Sequence, residues 1–309
     1  MKIGFMCAGQ GAQAVGMGAD LYASSPAAKA VFDEADIVLK RGVARMCFDG
    51  PMEDLTASAH CQPAIYTMTA ACLAALLERV DIKPVICGGL SLGEFAAAYA
   101  AGVFPFSDGL TLVAKRGELM GEACRRSDGG MAAVLNADPR LVETICAETG
   151  IDVANFNCPG QIVISGRKDG VEKAVQSLKD SGVSKVIVLQ VDGAFHSRLM
   201  APAAEAFTPL LAGVSFADPV CALVQNVTGA SVHSAAEIRE NLAAQVTGSV
   251  RWEDCLRTML DTGVEALVEL GPGKVLNGFM KRVDRRFPVY NVADTASLAE
   301  TVEALKGSV

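Results

Sequence analysis

The chain has 309 residues, of which 51% are hydrophobic and 20% charged, and its formal net charge is -8. A chain of this length buries roughly three quarters of the surface that its unfolded form exposes, so we expect a large core that needs no covalent cross-links. The acidic balance argues against a broad nucleic-acid surface, and no apolar run approaches the length of a membrane span.

Short apolar runs alternate with helical patterns along the chain, as is typical of α/β proteins. The predicted strands are, in chain order, 2–7, 85–87, 162–165, 186–191, 220–225 and 266–270. The predicted helices are 63–79, 107–126, 169–181, 199–211, 235–244 and 252–262. This order predicts an α/β fold with a mainly parallel sheet.

Between about residues 129 and 191 the pattern changes to strand, helix, two strands, helix and strand. This β-α-β-β-α-β order is that of the ferredoxin-like unit. We therefore predict an inserted ferredoxin-like subdomain at 128–191, within a larger subdomain formed by 1–127 and 192–309.

The ten cysteines are scattered without any C-x-x-C pair, and the N-terminal apolar run is too short for a signal peptide. Because disulfides persist mainly in oxidising compartments, this usage predicts buried free thiols and a cytoplasmic location.

A serine stands between glycines at residues 89–93, which read GLSLG, after an apolar strand pattern and before an alanine-rich helix. This is the context of a nucleophile elbow. The turn is expected to hold Ser91 at a helix N-terminus, where free N–H groups stabilise an oxyanion. The alternative is an ordinary helix-capping serine, and the intact flanking pattern favours the nucleophile.

A serine nucleophile needs a base, which is usually histidine because its pKa lies near neutrality. The chain has three histidines. His60 and His233 are predicted to be surface or capping residues. His196 lies in a loop between a predicted strand and helix, where catalytic side chains of α/β proteins collect, and is the predicted base. Its alternative role is a helix cap.

Residues 9–14 read GQGAQA and match the dinucleotide fingerprint G-x-G-x-x-A. A nucleotide-binding unit needs a second strand that ends in an acidic residue, yet residues 27–40 carry a helical pattern. The context therefore argues against a nicotinamide or flavin enzyme. Residues 271–274 read GPGK but lack the full spacing of a phosphate loop.

Further motifs follow in order: residues 116–120 read RGELM, 155–161 read NFNCPGQ, 193–197 read GAFHS and 269–276 read ELGPGKVL. Together with the segments at 9–13 and 89–94, they resemble the malonyl-CoA:acyl-carrier-protein transacylases, the acyltransferase family of fatty-acid and polyketide synthesis. The resemblance spans residues 2 to about 281. It implies an α/β-hydrolase-like large subdomain that carries the ferredoxin-like insertion.

The resemblance also implies the reaction: a malonyl group passes from malonyl-CoA to Ser91, and from there to the phosphopantetheine thiol of acyl carrier protein, supplying fatty-acid synthesis by ping-pong kinetics. His196 is the implied base, oriented by the main-chain carbonyl of Gln245. Backbone N–H groups of Gln10 and Leu92 are the implied oxyanion hole. The family relies on a Ser-His pair, so no catalytic aspartate is expected.

Arg116 is predicted to bind the malonyl carboxylate, because a guanidinium offers a planar fork to it. An ion pair with Glu118 or Glu122 is the structural alternative. If acetyl-CoA bound, a buried Arg116 without its partner would cost about 3 to 5 kcal/mol, or roughly two to four decades of discrimination.

Four other residues are predicted to line or support the substrate pocket together with Gln245: Gln62, Met120, Asn157 and Phe195. A bulky aromatic at Phe195 resembles the malonyl type of the family, so a branched acyl chain should be rejected. Two departures from the family stand out: Leu90 replaces the usual histidine, and the segment 246–252 lacks a proline that many members have.

The implied partner is an acidic carrier protein, so an enzyme of charge -8 needs a local basic patch to attract it. Residues 281–286 read KRVDRR, and Lys281, Arg282 and Arg286 are the predicted docking residues. A solvated helix end is the alternative. We expect a monomer without a metal or a bound cofactor.

Three alternatives remain open at this point. A Ser-His hydrolase shares Ser91 and His196 but gains nothing from Arg116. A stand-alone acyltransferase that loads a polyketide or malonate-decarboxylase carrier shares every motif. A scaffold without catalysis, which only binds the carrier, is disfavoured because all three residues are present together.

Overall fold

The structure is a computed structural model that describes residues 1–191 and 193–306. Its strands are β1 Ile3–Cys7, β2 Ile86–Gly89, β3 Gly129–Leu135, β4 Asp152–Cys158, β5 Gln161–Arg167, β6 Lys185–Val188, β7 Ala222–Val224, β8 Ser231–Val232, β9 Val250–Arg251, β10 Ala266–Leu270 and β11 Val289–Val292. The first seven helices are α1 Ala19–Ser24, α2 Pro26–Leu39, α3 Val43–Asp49, α4 Met52–Thr56, α5 Ser58–Leu77, α6 Gly93–Ala100 and α7 Phe106–Arg126. The others are α8 Pro139–Thr149, α9 Lys168–Asp180, α10 Ala201–Ala212, α11 Ala235–Ala244, α12 Trp252–Asp261, α13 Val275–Val283 and α14 Thr295–Lys306.

The larger sheet has six strands in the order β11-β10-β1-β2-β7-β8. The first five run parallel, and only β8 is antiparallel to its neighbour β7. Strands β1 and β10 are buried at every position, as expected for parallel strands covered by helices on both faces. The expected mainly parallel α/β sheet is therefore confirmed.

The smaller sheet has five strands in the order β6-β3-β5-β4-β9. Its first four strands are antiparallel and have the predicted ferredoxin-like order. Side chains alternate across it: Ala132 and Val134 face the core with α8 and α9, whereas Met131 and Val163 face the other side. That second face points toward the larger subdomain. Residue 192, the predicted boundary, and residues 307–309 lie outside the described residues.

The helix predicted at 63–79 begins five residues earlier, at Ser58, so that prediction was wrong at its start. Proline lacks the N–H that would bond to the carbonyl four residues back, so Pro63 leaves the Ala59 carbonyl without its helical donor. The Arg41 guanidinium donates to this carbonyl instead, with Nη2 at 3.2 Å from the oxygen. A side chain from outside α5 thus compensates for the proline, and the helix extends through it.

The other predicted elements are present, with ends shifted by a few residues. The helix α2 occupies the place where a dinucleotide-binding unit needs a second strand, which removes that alternative. The ten cysteines are all free, and nine are buried, Cys221 being partly exposed. Among the described helices, none combines the length and apolar content that crossing a bilayer requires.

Candidate active site

Ser91 lies in a sharp turn between β2 and α6, at the carboxyl end of the larger sheet. Its φ angle is 51°, a left-handed conformation that is strained for any residue with a Cβ atom. The turn is possible because two glycines flank it. A Cβ on Gly89 would lie 2.0 Å from the Gly93 carbonyl oxygen, and one on Gly93 would lie 2.2 Å from the Cys7 carbonyl oxygen. Strand, turn and helix therefore pack backbone to backbone.

Asn226, just after β7, holds this turn from the side. The Ser91 amide donates to Asn226 Oδ1 at 2.6 Å, and Asn226 Nδ2 donates to the Gly89 carbonyl at 2.8 Å. One buried amide thus binds the turn on both sides of Leu90. The sequence analysis missed Asn226. Its only sequence signal is its place after a predicted strand of the parallel sheet, where α/β sites collect.

His196 is the base that the geometry offers to Ser91. Its Nε2 lies 2.7 Å from Ser91 Oγ, and its Nδ1 lies 2.9 Å from the Gln245 carbonyl oxygen. A carbonyl only accepts, so Nδ1 carries the proton and Nε2 is left to accept from the serine. Burial, together with the nearby Arg116 charge, lowers the pKa of His196 to about 4. The imidazole is therefore neutral at pH 7.

Arg116, on α7, lies beside Ser91 and is almost fully buried, with 1% of its surface exposed. Nη1 donates to Gln62 Oε1 at 2.8 Å, whereas Nη2 donates to Ser91 Oγ at 3.0 Å and to Gln245 Oε1 at 2.7 Å. Burial lowers its pKa to about 10, so it is charged at pH 7. No described side chain hydrogen-bonds to its Nε.

The structural alternative for Arg116 is absent. Glu118 pairs with Lys115 and Arg41, and Glu122 pairs with Arg126, all near the surface. The partners of Arg116 are neutral oxygens of Gln62, Ser91 and Gln245. The guanidinium is thus hydrogen-bonded without a substrate, but no carboxylate touches it within the described residues.

A cavity of about 360 Å³ opens above Ser91, between the two sheets. The cavity volume is within the range of small-molecule sites. Its lining includes Ser91, Arg116 and His196 from the larger subdomain, and Met131 and Val163 from the smaller one. Residues 189–191, which were predicted to continue β6, leave the strand and form part of the wall.

The other predicted site residues are placed as follows. Gln10, Met120, Asn157 and Phe195 line the cavity. Gln62 lies behind it, between Arg116 and Met120, and donates to the Met120 sulfur at 3.6 Å.

The loop that carries Gln10 packs against the turn that carries Ser91. A Cβ on Gly9 would lie 2.5 Å from the Leu90 carbonyl oxygen, so the two loops touch through their backbones. Leu90 itself lines the cavity with an apolar side chain. The Leu92 amide follows Ser91 directly, at the N-cap of α6. The segment 246–252, which lacks the proline of many family members, directly follows Gln245. The Gln245 carbonyl oxygen nevertheless contacts His196 Nδ1.

The predicted docking residues lie outside the cavity. Lys281, Arg282 and Arg286 are exposed at the end of α13 and just beyond it. Arg282 is held, since its Nε donates to the Pro159 carbonyl at 2.9 Å and its Nη2 to Asn136 Oδ1 at 3.2 Å. It therefore ties α13 to the smaller sheet.

Histidines 60 and 233 make no hydrogen bond to Ser91 among the described residues. His60 Nδ1 contacts the Asp54 carbonyl at 3.0 Å, and His233 is exposed. His60 lies inside α5, because this helix begins at Ser58. In the described part of the chain, no group of three or more His, Cys, Asp or Glu side chains is arranged to hold a metal ion.

Residues 4–301 match the protein family described as "Acyl transferase domain". The chain belongs to this acyltransferase family. It is 40% identical over 310 residues to the malonyl CoA-acyl carrier protein transacylase of Bacillus subtilis, a match that covers 99% of this chain and 98% of the relative.

Solved structures of the family have the same fold. The malonyl CoA-acyl carrier protein transacylase of Clostridium perfringens superposes with a TM-score of 0.95 at 37% identity, over 100% of this chain and 98% of that one. A malonyl-transacylase in complex with its type II polyketide synthase acyl carrier protein superposes with a TM-score of 0.95 at 34% identity, over 98% of this chain and 100% of that one. The expected large subdomain with its ferredoxin-like insertion is confirmed.

The depressed pKa of His196 gives a direct test of the site. A histidine whose pKa is lowered on folding stays neutral down to that lower pKa, so the imidazole should take up its proton near pH 4 instead of near 6.5. We expect an NMR titration of the ring signals to show one histidine that remains neutral at pH 5.5, and the His196→Gln variant to lose that signal. A titration of the His196 ring near pH 6.5 would contradict the buried, Arg116-facing position.

Proposed function

We propose that this acyltransferase moves a malonyl group from malonyl-CoA to the phosphopantetheine thiol of acyl carrier protein, and so supplies fatty-acid synthesis. The observation that carries the proposal is the contact of Arg116 Nη2 with Ser91 Oγ at 3.0 Å. A cation this close to the nucleophile suits an acyl group whose carboxylate lies one methylene from the reacting carbonyl. Malonyl has that length, whereas acetyl has no carboxylate, and longer diacids place theirs farther away.

Ser91 and His196 perform the first half-reaction in this proposal. His196 Nε2 takes the hydroxyl proton as Ser91 Oγ attacks the thioester carbonyl, and the tetrahedral intermediate collapses with loss of the CoA thiolate. The imidazolium returns the proton to this thiolate. In the second half-reaction His196 deprotonates the carrier thiol, which attacks the malonyl-serine ester and releases the serine hydroxyl. The two halves give ping-pong kinetics.

We further propose that the backbone N–H groups of Leu92 and Gln10 stabilise the oxyanion. The amides of Gly93, Glu94 and Phe95 already donate to carbonyls one turn back, at 2.9 to 3.1 Å. Leu92 provides the amide directly after the nucleophile, and the loop of Gln10 touches the same turn. Two converging N–H donors at such a position are the usual arrangement for acyl transfer.

The pocket walls favour a small acid. Phe195, Met120 and Leu90 line the cavity together with Arg116 and give it apolar walls. An added methyl branch on the acyl chain would overlap these side chains, so a branched substrate should be disfavoured. Asn157 is a polar wall residue, and its Oδ1 is buried without a partner among the described residues.

The proposal also covers the oligomeric state, the location, the need for cofactors and the subdomain bounds. The site is complete within one chain, which supports a monomer, and the free thiols support a cytoplasmic location. The dyad needs neither a metal nor a bound cofactor. We propose 128–191 as the inserted subdomain, and 1–127 with 192–309 as the catalytic one, because β3 to β6 form one sheet with its own core.

The covalent intermediate is testable by intact-mass measurement. We expect the protein mixed with malonyl-CoA to gain the mass of one malonyl group, and to lose it when carrier protein is added. Ser91→Ala should gain nothing, whereas Ser24→Ala, an exposed serine far along the chain, should behave as wild type. A malonyl adduct on Ser91→Ala would disprove the nucleophile. An adduct that decays in buffer alone would indicate a hydrolase, and no adduct at all would favour a scaffold.

The role of Arg116 is testable by substrate preference. Arg116 keeps its neutral partners when no substrate is bound, so binding an acyl group without a carboxylate costs less free energy than breaking a buried ion pair. A hydrogen bond to a charged group contributes about 1.5 to 3 kcal/mol, which corresponds to a rate difference of roughly 10- to 150-fold. We expect the wild type to prefer malonyl-CoA over acetyl-CoA in acylation by about this factor. Arg116→Ala should abolish the preference, and Arg125→Ala, on the exposed part of the same helix, should retain it. An unchanged preference in Arg116→Ala would exclude carboxylate binding.

We also propose that the basic end of α13 attracts the carrier protein. Arg282 has a structural task, so Lys281 and Arg286 are the residues to reverse. Surface charge pairs contribute about 0.2 to 1 kcal/mol each, so the double Lys281→Glu/Arg286→Glu variant should raise the carrier KM roughly two- to tenfold. The rate of acylation by malonyl-CoA should not change.

The matched control for this docking test is Arg79→Glu/Lys83→Glu. It makes the same charge change before the amino end of β2, whereas Ser91 follows the carboxyl end of this strand. A carrier KM that rises equally in both variants would mean that the net charge of the protein, and not a patch on α13, causes the rise. An unchanged KM in the α13 variant would exclude docking there.

One alternative has a specific observation behind it. The malonyl-transacylase that superposes with a TM-score of 0.95 was solved with a type II polyketide synthase carrier. Its fold is shared, so a polyketide carrier, or one of a malonate decarboxylase, remains the second candidate for this chain. The ratio of kcat/KM for a fatty-acid carrier and for such a carrier decides between them.

A further inference from the structure

Glu94 is a fully buried carboxylate for which the proposed chemistry has no role. It lies in the first turn of α6, three residues after the nucleophile. Its Oε1 accepts from Gln225 Nε2 at 2.9 Å, and its Oε2 accepts from the Asn226 amide at 2.8 Å and from Gln245 Nε2 at 3.1 Å. Burial of a carboxylate is costly unless such donors surround it, so its presence at this position needs a reason.

The protonation state of Glu94 follows from its neighbours. Burial raises the pKa of this carboxyl to about 7, while the donors from Asn226, Gln245 and Gln225 and the charge of Arg116 act in the opposite direction. All three hydrogen-bonding neighbours are donors, so a protonated carboxyl would direct its own O–H at a donor. The ionised form is the one that fits the geometry.

The consequence for Gln245 is a fixed orientation of its side-chain amide. The Nε2 group faces two acceptors, Glu94 Oε2 and the Ser91 carbonyl, the latter at 2.8 Å. The amide oxygen must then point the other way, where it accepts from Arg116 Nη2 at 2.7 Å. If the amide were reversed, its NH₂ group would face the guanidinium, which has only donors. Glu94 therefore decides which end of Gln245 meets Arg116.

A purely structural role would look different, and the chain contains an example. Glu269 is also a fully buried carboxylate, and burial raises its pKa to about 7. It accepts from the amides of Leu276 and Asn277 at 3.0 and 2.7 Å, and so caps the start of α13. It makes no hydrogen bond to Ser91, His196 or Arg116. Glu94, by contrast, accepts from the side-chain amide of Gln245, which itself bonds to the Ser91 carbonyl and to Arg116.

We propose that Glu94 is a positioning residue: its carboxylate orients the Gln245 amide and, through that amide, aims the Arg116 guanidinium at the carboxylate of the acyl group. The inference rests on the proposed malonyl transfer. It adds a residue that sets substrate preference without touching the substrate.

The single variant Glu94→Gln tests this. A glutamine at 94 must turn its NH₂ group either toward Gln225 Nε2 or toward the donors of Asn226 and Gln245, so one contact becomes donor against donor. Misplacing a binding group by about 1 Å costs on the order of 100-fold in rate, and we expect malonyl acylation to fall by about 10- to 100-fold. Acetyl acylation should fall much less, so the malonyl-to-acetyl ratio of single-turnover rates should drop about tenfold or more.

The double variant Glu94→Gln/Gln225→Glu is the rescue. The glutamine at 94 then donates its NH₂ group to the new carboxylate at 225, which still accepts from Asn241 Nδ2 as Gln225 does at 2.8 Å. Its oxygen returns to the donors of Asn226 and Gln245. The 3.3 Å bond from position 225 to the Ile238 carbonyl is lost, and a carboxylate oxygen faces that carbonyl instead. We expect the double variant to recover the wild-type ratio, and it keeps the test open if the single variant does not fold.

The control is Glu269→Gln, which neutralises a buried carboxylate of the same kind. Thermal unfolding should show a loss of stability, while malonyl and acetyl acylation change by the same factor. The proposal is overturned if Glu94→Gln also lowers both rates equally, if it leaves the ratio unchanged, or if the folded double variant fails to restore the ratio. If the wild type forms no malonyl adduct, the proposed function itself fails. If the wild type is active but Glu94→Gln leaves the malonyl-to-acetyl ratio unchanged, only the role of Glu94 fails.

Discussion

The site depends on the backbone contact between the turn of Ser91 and its two neighbouring strands. Gly89 and Gly93 bring β2, α6 and the end of β1 within van der Waals distance of one another. Any side chain at these two positions would push β2, α6 and β1 apart, because a close-packed interior responds to added atoms by shifts of the backbone. Once the layers meet, Ser91 has no alternative to its left-handed conformation, and its hydroxyl points into the cavity beside His196.

Burial then gives each polar group of the site its chemical state. Removal from water keeps His196 neutral and leaves Arg116 as a charge held mostly by neutral oxygens. A charge in such a place interacts strongly with any carboxylate that enters, because little water screens it. The same burial would destabilise Glu94 if three donors did not surround it. The polar residues therefore form one connected network, in which each member limits the orientation of the next.

The sequence predicts the parts of this structure that depend on local patterns. Alternating strands and helices, the glycines around Ser91, and the loop position of His196 follow from periodicity and turn chemistry. The start of α5 does not, since Pro63 indicates an end of the helix and only the distant Arg41 reverses that effect. Asn226 and the side-chain task of Gln245 were missed for a related reason: they act on residues more than a hundred positions away, and no local pattern records that distance. The prediction that Arg116 binds a carboxylate depends on the family resemblance, because spacing alone favoured an ion pair along its helix.

The short strand β9, Val250–Arg251, pairs with β4 of the smaller sheet, although the chain on either side of it belongs to the larger subdomain. Gln245, whose carbonyl holds His196, lies only five residues before it. Five residues span at most about 17 Å when fully extended. The two sheets are thus tethered to each other through the backbone that contacts His196. A change in the spacing of the two sheets would therefore pull on the short segment that carries the Gln245 carbonyl, and so on the contact of that carbonyl with His196.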